Sequence, residues 1–244
     1  MSITAQRLWW TTSAAALGMA LGGCSASNGT SAPSASPVET QQGRPATQIC
    51  GSLLGDEGSS ALEKLTRSKH FAAPATSGSI DTRSLAQAAK QLRGEAPVER
   101  SGKRIYLCLP EPRDAHTVGT LQISTQWLHL RSGDYSWAST DGHFVFDLAG
   151  KGDKSTSAPY ASATEQSAWL GFNCPVGPGK SDDTVLTVDV RTSLLDSYRD
   201  SDKPALLTHL AHDSAVKVAK KAGCFAQSQL PAGIATLTPL PSAD

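Results

Sequence analysis

The sequence has no excess of charge of either sign: 22 Lys and Arg are matched by 22 Asp and Glu over 244 residues. A strong nucleic-acid binder carries a basic excess to meet phosphate, so nucleic acid is not an expected partner. Aromatic residues are few, at 6%, which leaves little large side-chain surface for gripping a planar ligand. Long hydrophobic runs are missing too. The best candidate, Leu8-Trp9-Trp10 and then Ala14 to Leu21, is broken by Thr11, Thr12 and Ser13 and falls short of the roughly 20 apolar residues a spanning helix needs. No cysteine pair has C-x-x-C spacing, which argues against zinc or dithiol redox chemistry. There is no G-x-S-x-G elbow, and the stretch Gly150 to Thr156 lacks the order of a phosphate-binding loop. No residue is therefore expected to be catalytic, and no cofactor is expected.

What is present begins at the N-terminus. Met1 to Arg7 is polar with one basic residue, an apolar stretch follows, and Leu21-Gly22-Gly23-Cys24 closes it. A charged start, an apolar centre and small residues at the end are the layout of a secretory signal. The last four residues resemble the lipobox of bacterial lipoproteins. The plan of lipobox, Ser/Thr/Pro tether and cysteine-paired domain is similar to that of many actinobacterial lipoproteins. The resemblance implies removal of residues 1–23 and acylation of Cys24. The expected location is then the outer face of the cell membrane, with the membrane itself as a partner through the lipid. Each buried methylene adds about 0.8 kcal/mol, so two chains hold where one would not.

Residues 24–47 hold the lipidated cysteine and a tether of Ser, Ala, Thr, Pro, Gly and Gln, in which Val38 is the sole sizeable aliphatic side chain. Such a segment cannot bury enough apolar surface to offset its ordering entropy. As a coil it reaches roughly 25–30 Å. With signal and tether set aside, about 180 residues remain, enough for one well-buried domain. Its expected bounds are 48–230, with 231–244 as a frayed tail.

If Cys24 is acylated, Cys50, Cys108, Cys174 and Cys224 remain, and an even set in an exported chain implies disulfides. Three pairings are possible. Cys50–Cys108 with Cys174–Cys224 is favoured, because each bond then ties a helical segment to a neighbouring strand. Each such loop stabilises by roughly 4 kcal/mol in the chain-entropy model.

The expected fold class is α+β: a mostly antiparallel sheet flanked by N-terminal helices and a C-terminal helix, stapled by disulfides. The spacing predicts a helix over 56–67, with Ser60 to Glu63 as a capping box, and a second helix capped by Asp81 and ended by Gly94. Strands are predicted at 104–109, 117–130, 169–174 and 184–192, with a hairpin across 135–148 around Asp141-Gly142. An apolar side change near Trp127 predicts a bulge or bend there. In 184–192, Leu186, Val188 and Val190 face inward and Thr187, Asp189 and Arg191 outward. Lys151 to Ser167 reads as a surface loop. The last helix is predicted over 204–222, capped by Asp202 and closed by Gly223.

Two groups of residues are candidates for chemistry. His209, His212 and Asp213 share one helical face and in principle suit a metal. Their spacing is not the H-E-x-x-H pattern, and a solvated polar face is the expected reading. Trp127, Tyr135, Trp137 and Trp169 fall on one predicted sheet, where exposed rings stack on a sugar or grip a partner, although core packing is the ordinary fate of such side chains. The expected function is a membrane-anchored, non-catalytic binding or interaction module at the cell envelope, with an envelope polymer or protein as partner. The alternative is an envelope hydrolase or metal-dependent enzyme using His209, His212 and Asp213.

Overall fold

The computed structural model describes residues 43–72, 81–95, 102–113, 119–129, 142–148, 159–178, 184–193, 202–234, 237, 239 and 240. Cys24, Tyr135 and Trp137 lie outside them, as does all of the predicted signal. The folded unit is Gln41–Asp244.

Its helices are α1 (Asp56–Thr66), α2 (Leu85–Gly94), α3 (Lys203–Ala222) and the single turn α4 (Phe225–Ser228). Its strands are β1 (Phe71–Ala72), β2 (Ile105–Cys108), β3 (Glu111–Pro112), β4 (Leu121–His129), β5 (Phe144–Asp147), β6 (Tyr160–Ala163), β7 (Ser167–Asn173) and β8 (Thr184–Thr192). β1 and β3 form a small ribbon, and the other strands form one six-stranded sheet in the order β2-β4-β8-β7-β6-β5. Every pairing between its strands is antiparallel. The class is therefore α+β, with disulfides Cys50–Cys108 and Cys174–Cys224. The first ties the turn before α1 to the end of β2. The second ties the end of β7 to the residue after the C-cap of α3.

Alternation sorts the sheet's side chains onto two faces. One carries Ile123 and Trp127 of β4, Leu170 and Phe172 of β7, and Leu186, Val188 and Val190 of β8, all fully buried. These join Leu207, Leu210, Ala211, Ala215 and Val218 of α3 in one core. α3 touches β6, β7 and β8 and also α1 and α2, so it is buried on more than the predicted stripe: Thr208 and His212 are inaccessible as well.

Several expectations are corrected. Ser60 lies inside α1, whose N-cap is Gly55. Ser84, not Asp81, caps α2, in a reciprocal box with Gln87; Asp81 instead pairs with Arg83 at 2.8 Å. Asp202 precedes α3 without a side-chain cap bond, whereas Gly223 closes that helix at φ 88° as expected. β4 has no bulge at Trp127, since its pairing with β8 is unbroken from Leu121 to His129. The irregularity is in β2, where Leu107 is the extra residue between Tyr106 and Cys108. The predicted loop 151–167 contains β6, whose Ala161 and Ala163 are buried; such small side chains give no strong alternation to read. The domain starts before residue 48, because Arg44 pairs with Phe71 and Ala46 is buried. It also extends past 230. Leu230 and Ile234 are buried, Pro239 bridges Phe146, and Leu240 N–H donates to Val145 O at 2.7 Å. Pro239 and Leu240 thus lie along the edge of β5.

Candidate functional site

The three polar residues of α3 meet the start of α1. The first N–H groups of a helix have no partner inside it and need an acceptor from elsewhere. Here Asp213 Oδ2 accepts from Gly58 N–H at 2.7 Å and from Gly55 N–H at 3.1 Å. A carboxylate at this end also meets the positive pole of the helix. The glycines make room for it. A Cβ on Gly58 would lie 2.7 Å from Oδ2, and one on Gly55 would lie 3.0 Å away. Burial pushes the Asp213 carboxyl up, but His212 beside it and the N–H groups of Gly58 and Gly55 pull harder and leave it lowered.

His212 has no accessible surface, and its Nε2 donates to Pro231 O at 3.0 Å. A carbonyl only accepts, so the hydrogen is assigned to Nε2. His209 Nδ1 lies 3.8 Å from Glu57 Oε2, and burial lowers its pKa against the opposing pull of Glu57. Glu57 Oε2 also accepts the Ile234 N–H at 3.4 Å. The stripe is therefore not the solvated face that its spacing predicts. It is a packed joint between α1, α3 and the C-terminal segment. Among the described residues, no group of three or more His, Cys, Asp or Glu is placed to hold a metal ion.

The aromatic candidates separate. Trp127 is wholly buried, and its Nε1 donates to Leu92 O at 3.0 Å, so it joins β4 to α2 and offers no surface. Trp169 lies on the other face of the sheet and is part-exposed. Its ring centroid is 5.0 Å from that of Tyr160, tilted by 45°. Both rings reach over Gly171: a Cβ there would lie 3.0 Å from Tyr160 Oη and 3.1 Å from Trp169 Cη2. The missing side chain lets the pair lie close to the sheet.

This second face is polar along its middle. Cross-strand register sets Ser124, Asp189, Trp169 and Ser162 in one row, and Gln126, Thr187, Gly171 and Tyr160 in the next. Thr187 and Asp189, expected to point into solvent, are 0% and 6% exposed. Asp189 is the unusual member. Its Oδ2 is buried and accepts no hydrogen bond among the described residues. Its Oδ1 has Arg191 Nη2 at 3.9 Å, beyond hydrogen-bond length. Burial raises its pKa, and the charges of Arg104 and Arg191 oppose the rise. Arg104 Nε is likewise buried without a hydrogen-bond partner among the described residues. Buried polar atoms are normally paired, so two orphans on one face call for an explanation. The sequence held one hint: an aspartate in the middle of a Val/Leu/Thr strand goes against β-propensity.

Comparison with known proteins does not extend this geometry: no protein-family model, curated protein or solved structure matches the chain.

Proposed function

We propose that the protein is an exported lipoprotein, held at the outer face of the cell membrane by acyl chains on Cys24, and that its folded unit is a non-catalytic binding module at the cell envelope. The polar face of the sheet supports the binding reading, since Asp189 Oδ2 is buried without a hydrogen-bond donor among the described residues, and such an oxygen is costly to keep. The cysteine inventory supports the address. Five cysteines are present and four are paired with one another, which leaves Cys24 at the end of the lipobox-like stretch free for lipid. Two disulfides suit an oxidising compartment. Among the described residues no helix is long and apolar enough to cross a membrane, and the lipid supplies the attachment in this reading. The metal-enzyme alternative loses its residues to packing, because Asp213 Oδ2 is engaged by two backbone donors and His212 by the Pro231 carbonyl.

Metabolic labelling with a fatty acid tests the anchor. The wild-type chain is expected to carry the label and to partition with membranes. Cys24→Ala is expected to lose both. Equal labelling of the two overturns the lipid assignment.

A further inference from the structure

We infer that the Cys50–Cys108 disulfide is a thiol-exchange site, which a dithiol opens in the folded protein while Cys174–Cys224 stays closed. The inference goes beyond the binding-module reading and does not depend on it.

Cys50, Gly51 and Ser52 follow one another with φ of 60°, 60° and 64°. A Cβ crowds the backbone in that region, so L-residues enter it singly and seldom in succession. Arg67 and Gln229 also have positive φ, but each closes a helix, where one left-handed residue is the ordinary ending. The turn at 50–52 is held from outside itself. The disulfide fixes its first residue, Leu53 N–H donates to Cys50 O at 3.1 Å, and the side chains of Ile49, Leu53 and Leu54 on either side are buried. The far end of the bond is irregular too, since Cys108 follows Leu107, the extra residue of β2. Such strain persists where the surrounding structure over-determines it, and it is released when one of the constraints is removed.

The second disulfide lacks these features. Cys224 has φ −119°, and the left-handed residue beside it is Gly223, which has no Cβ to crowd. Cys174 and Cys224 have no accessible surface, whereas Cys50 is part-exposed and Gly51 and Ser52 are exposed. Among the described residues, nothing lies within 4 Å of the position a Gly51 Cβ would take, so the side of the turn is open to an approaching thiolate. Strained or exposed disulfides are the labile ones. The exchange balances in two steps. An incoming thiolate bonds to Cys50 Sγ as the Cys50–Cys108 bond breaks, and Cys108 leaves with the electron pair and takes a proton. The second thiol of the reductant, as its thiolate, then displaces Cys50, which takes a proton in turn. The protein pair gains two electrons and the dithiol departs as its internal disulfide. The turn is then free to leave the left-handed region, while Ile49, Leu53 and Leu54 keep the chain before α1 in the core.

The test is a dithiothreitol titration of the full-length chain, in detergent at neutral pH, after free thiols have been blocked with iodoacetamide. Newly opened cysteines are trapped with N-ethylmaleimide and located by peptide mass spectrometry. Cys50 and Cys108 are expected to be labelled at least about tenfold faster than Cys174 and Cys224, with the circular dichroism of the oxidised protein retained. Ser52→Gly, which removes the crowding Cβ, is expected to make the bond about fivefold harder to reduce at equilibrium. Ser52→Ala keeps the Cβ and should match the wild type within about twofold. Three results each overturn the inference: Cys174–Cys224 opening first or at the same rate, Cys50–Cys108 opening only with loss of the circular dichroism signal, or a Ser52→Gly chain reduced as readily as the wild type.

Discussion

Asp213 shows how far a helix cap can come from its helix. The acceptor for the start of α1 lies 158 residues from Gly55 and 155 from Gly58. Inside a helix, Gly→Ala ordinarily stabilises by about 1 kcal/mol. At Gly58 the sign should reverse. The new methyl would press on Asp213 Oδ2, and Gly58→Ala is expected to destabilise by about 1–2 kcal/mol in urea unfolding. In an Asp213→Ala background the penalty should shrink, although the Cβ of residue 213, 3.1 Å from the new methyl, still crowds it; a double-mutant cycle measures the difference. The pH dependence follows from the lowered Asp213 pKa. Its contribution is complete above the unfolded value of 3.8 and is lost as pH falls through the lower folded value. Asp213→Ala should therefore flatten the acid limb of the stability curve below 3.8. The i, i+3, i+4 grouping of His209, His212 and Asp213 was legible from spacing alone. Its purpose was not, because Gly55 and Gly58 carry no side chain to announce a partner. Local rules pointed to Ser60 and Glu63 instead, and those residues sit within the helix.

At the scale of elements, strong periodicity was readable and weak periodicity was not. β8 and α3 match their predicted spans to within a residue at either end, since each combines a clear apolar repeat with a legible boundary. β6 was invisible because Tyr-Ala-Ser-Ala has no bulky alternation. The outward row of β8 was assigned to solvent on polarity alone, yet Thr187 and Asp189 are buried; alternation gives the face and not its exposure. The C-terminal segment was misread for a related reason. Pro, Gly, Ala and Ser look disordered in isolation, but this stretch is held by backbone groups of β5 and by Glu57 and His212. Removing residues 231–244 takes away those bonds, buries less of the core and leaves β5 as a bare edge. The truncated chain should lose at least about 2 kcal/mol in denaturant titration and should scatter light on concentration where the full chain does not. Unchanged stability would mean that the segment is ornament.

The whole molecule was the most legible level. Length and composition bounded it to one well-buried domain, the order of periodicities gave α+β, and the even cysteine set, once Cys24 was set aside, gave the disulfides. The partners were chosen by which pairing joins neighbouring elements, and the Cα separations of 5.1 and 5.2 Å suit that geometry. The second face of the sheet was legible only as a scatter of aromatic residues, of which Trp127 proved to be core. Asp189 came to notice only once its burial was seen. Replacing the pair Cys174 and Cys224 by alanine should lower stability by about 2–4 kcal/mol. The slope of the denaturant curve should shift little if the native state stays intact, and both are read from one chemical unfolding experiment.

The cap on α1 also sets an order of events in time. A chain synthesised from its N-terminus presents Gly55 and Gly58 long before Asp213, and a contact closing 155 residues is slow to form. The Cys50–Cys108 bond closes a loop of only 58 and is complete in sequence much earlier. The first helix of the fold thus waits on the last long one. Until α3 docks, the start of α1 is a row of bare N–H donors without its acceptor. Residues 50–108 hold both ends of their disulfide while the acceptor that caps α1 is still to come.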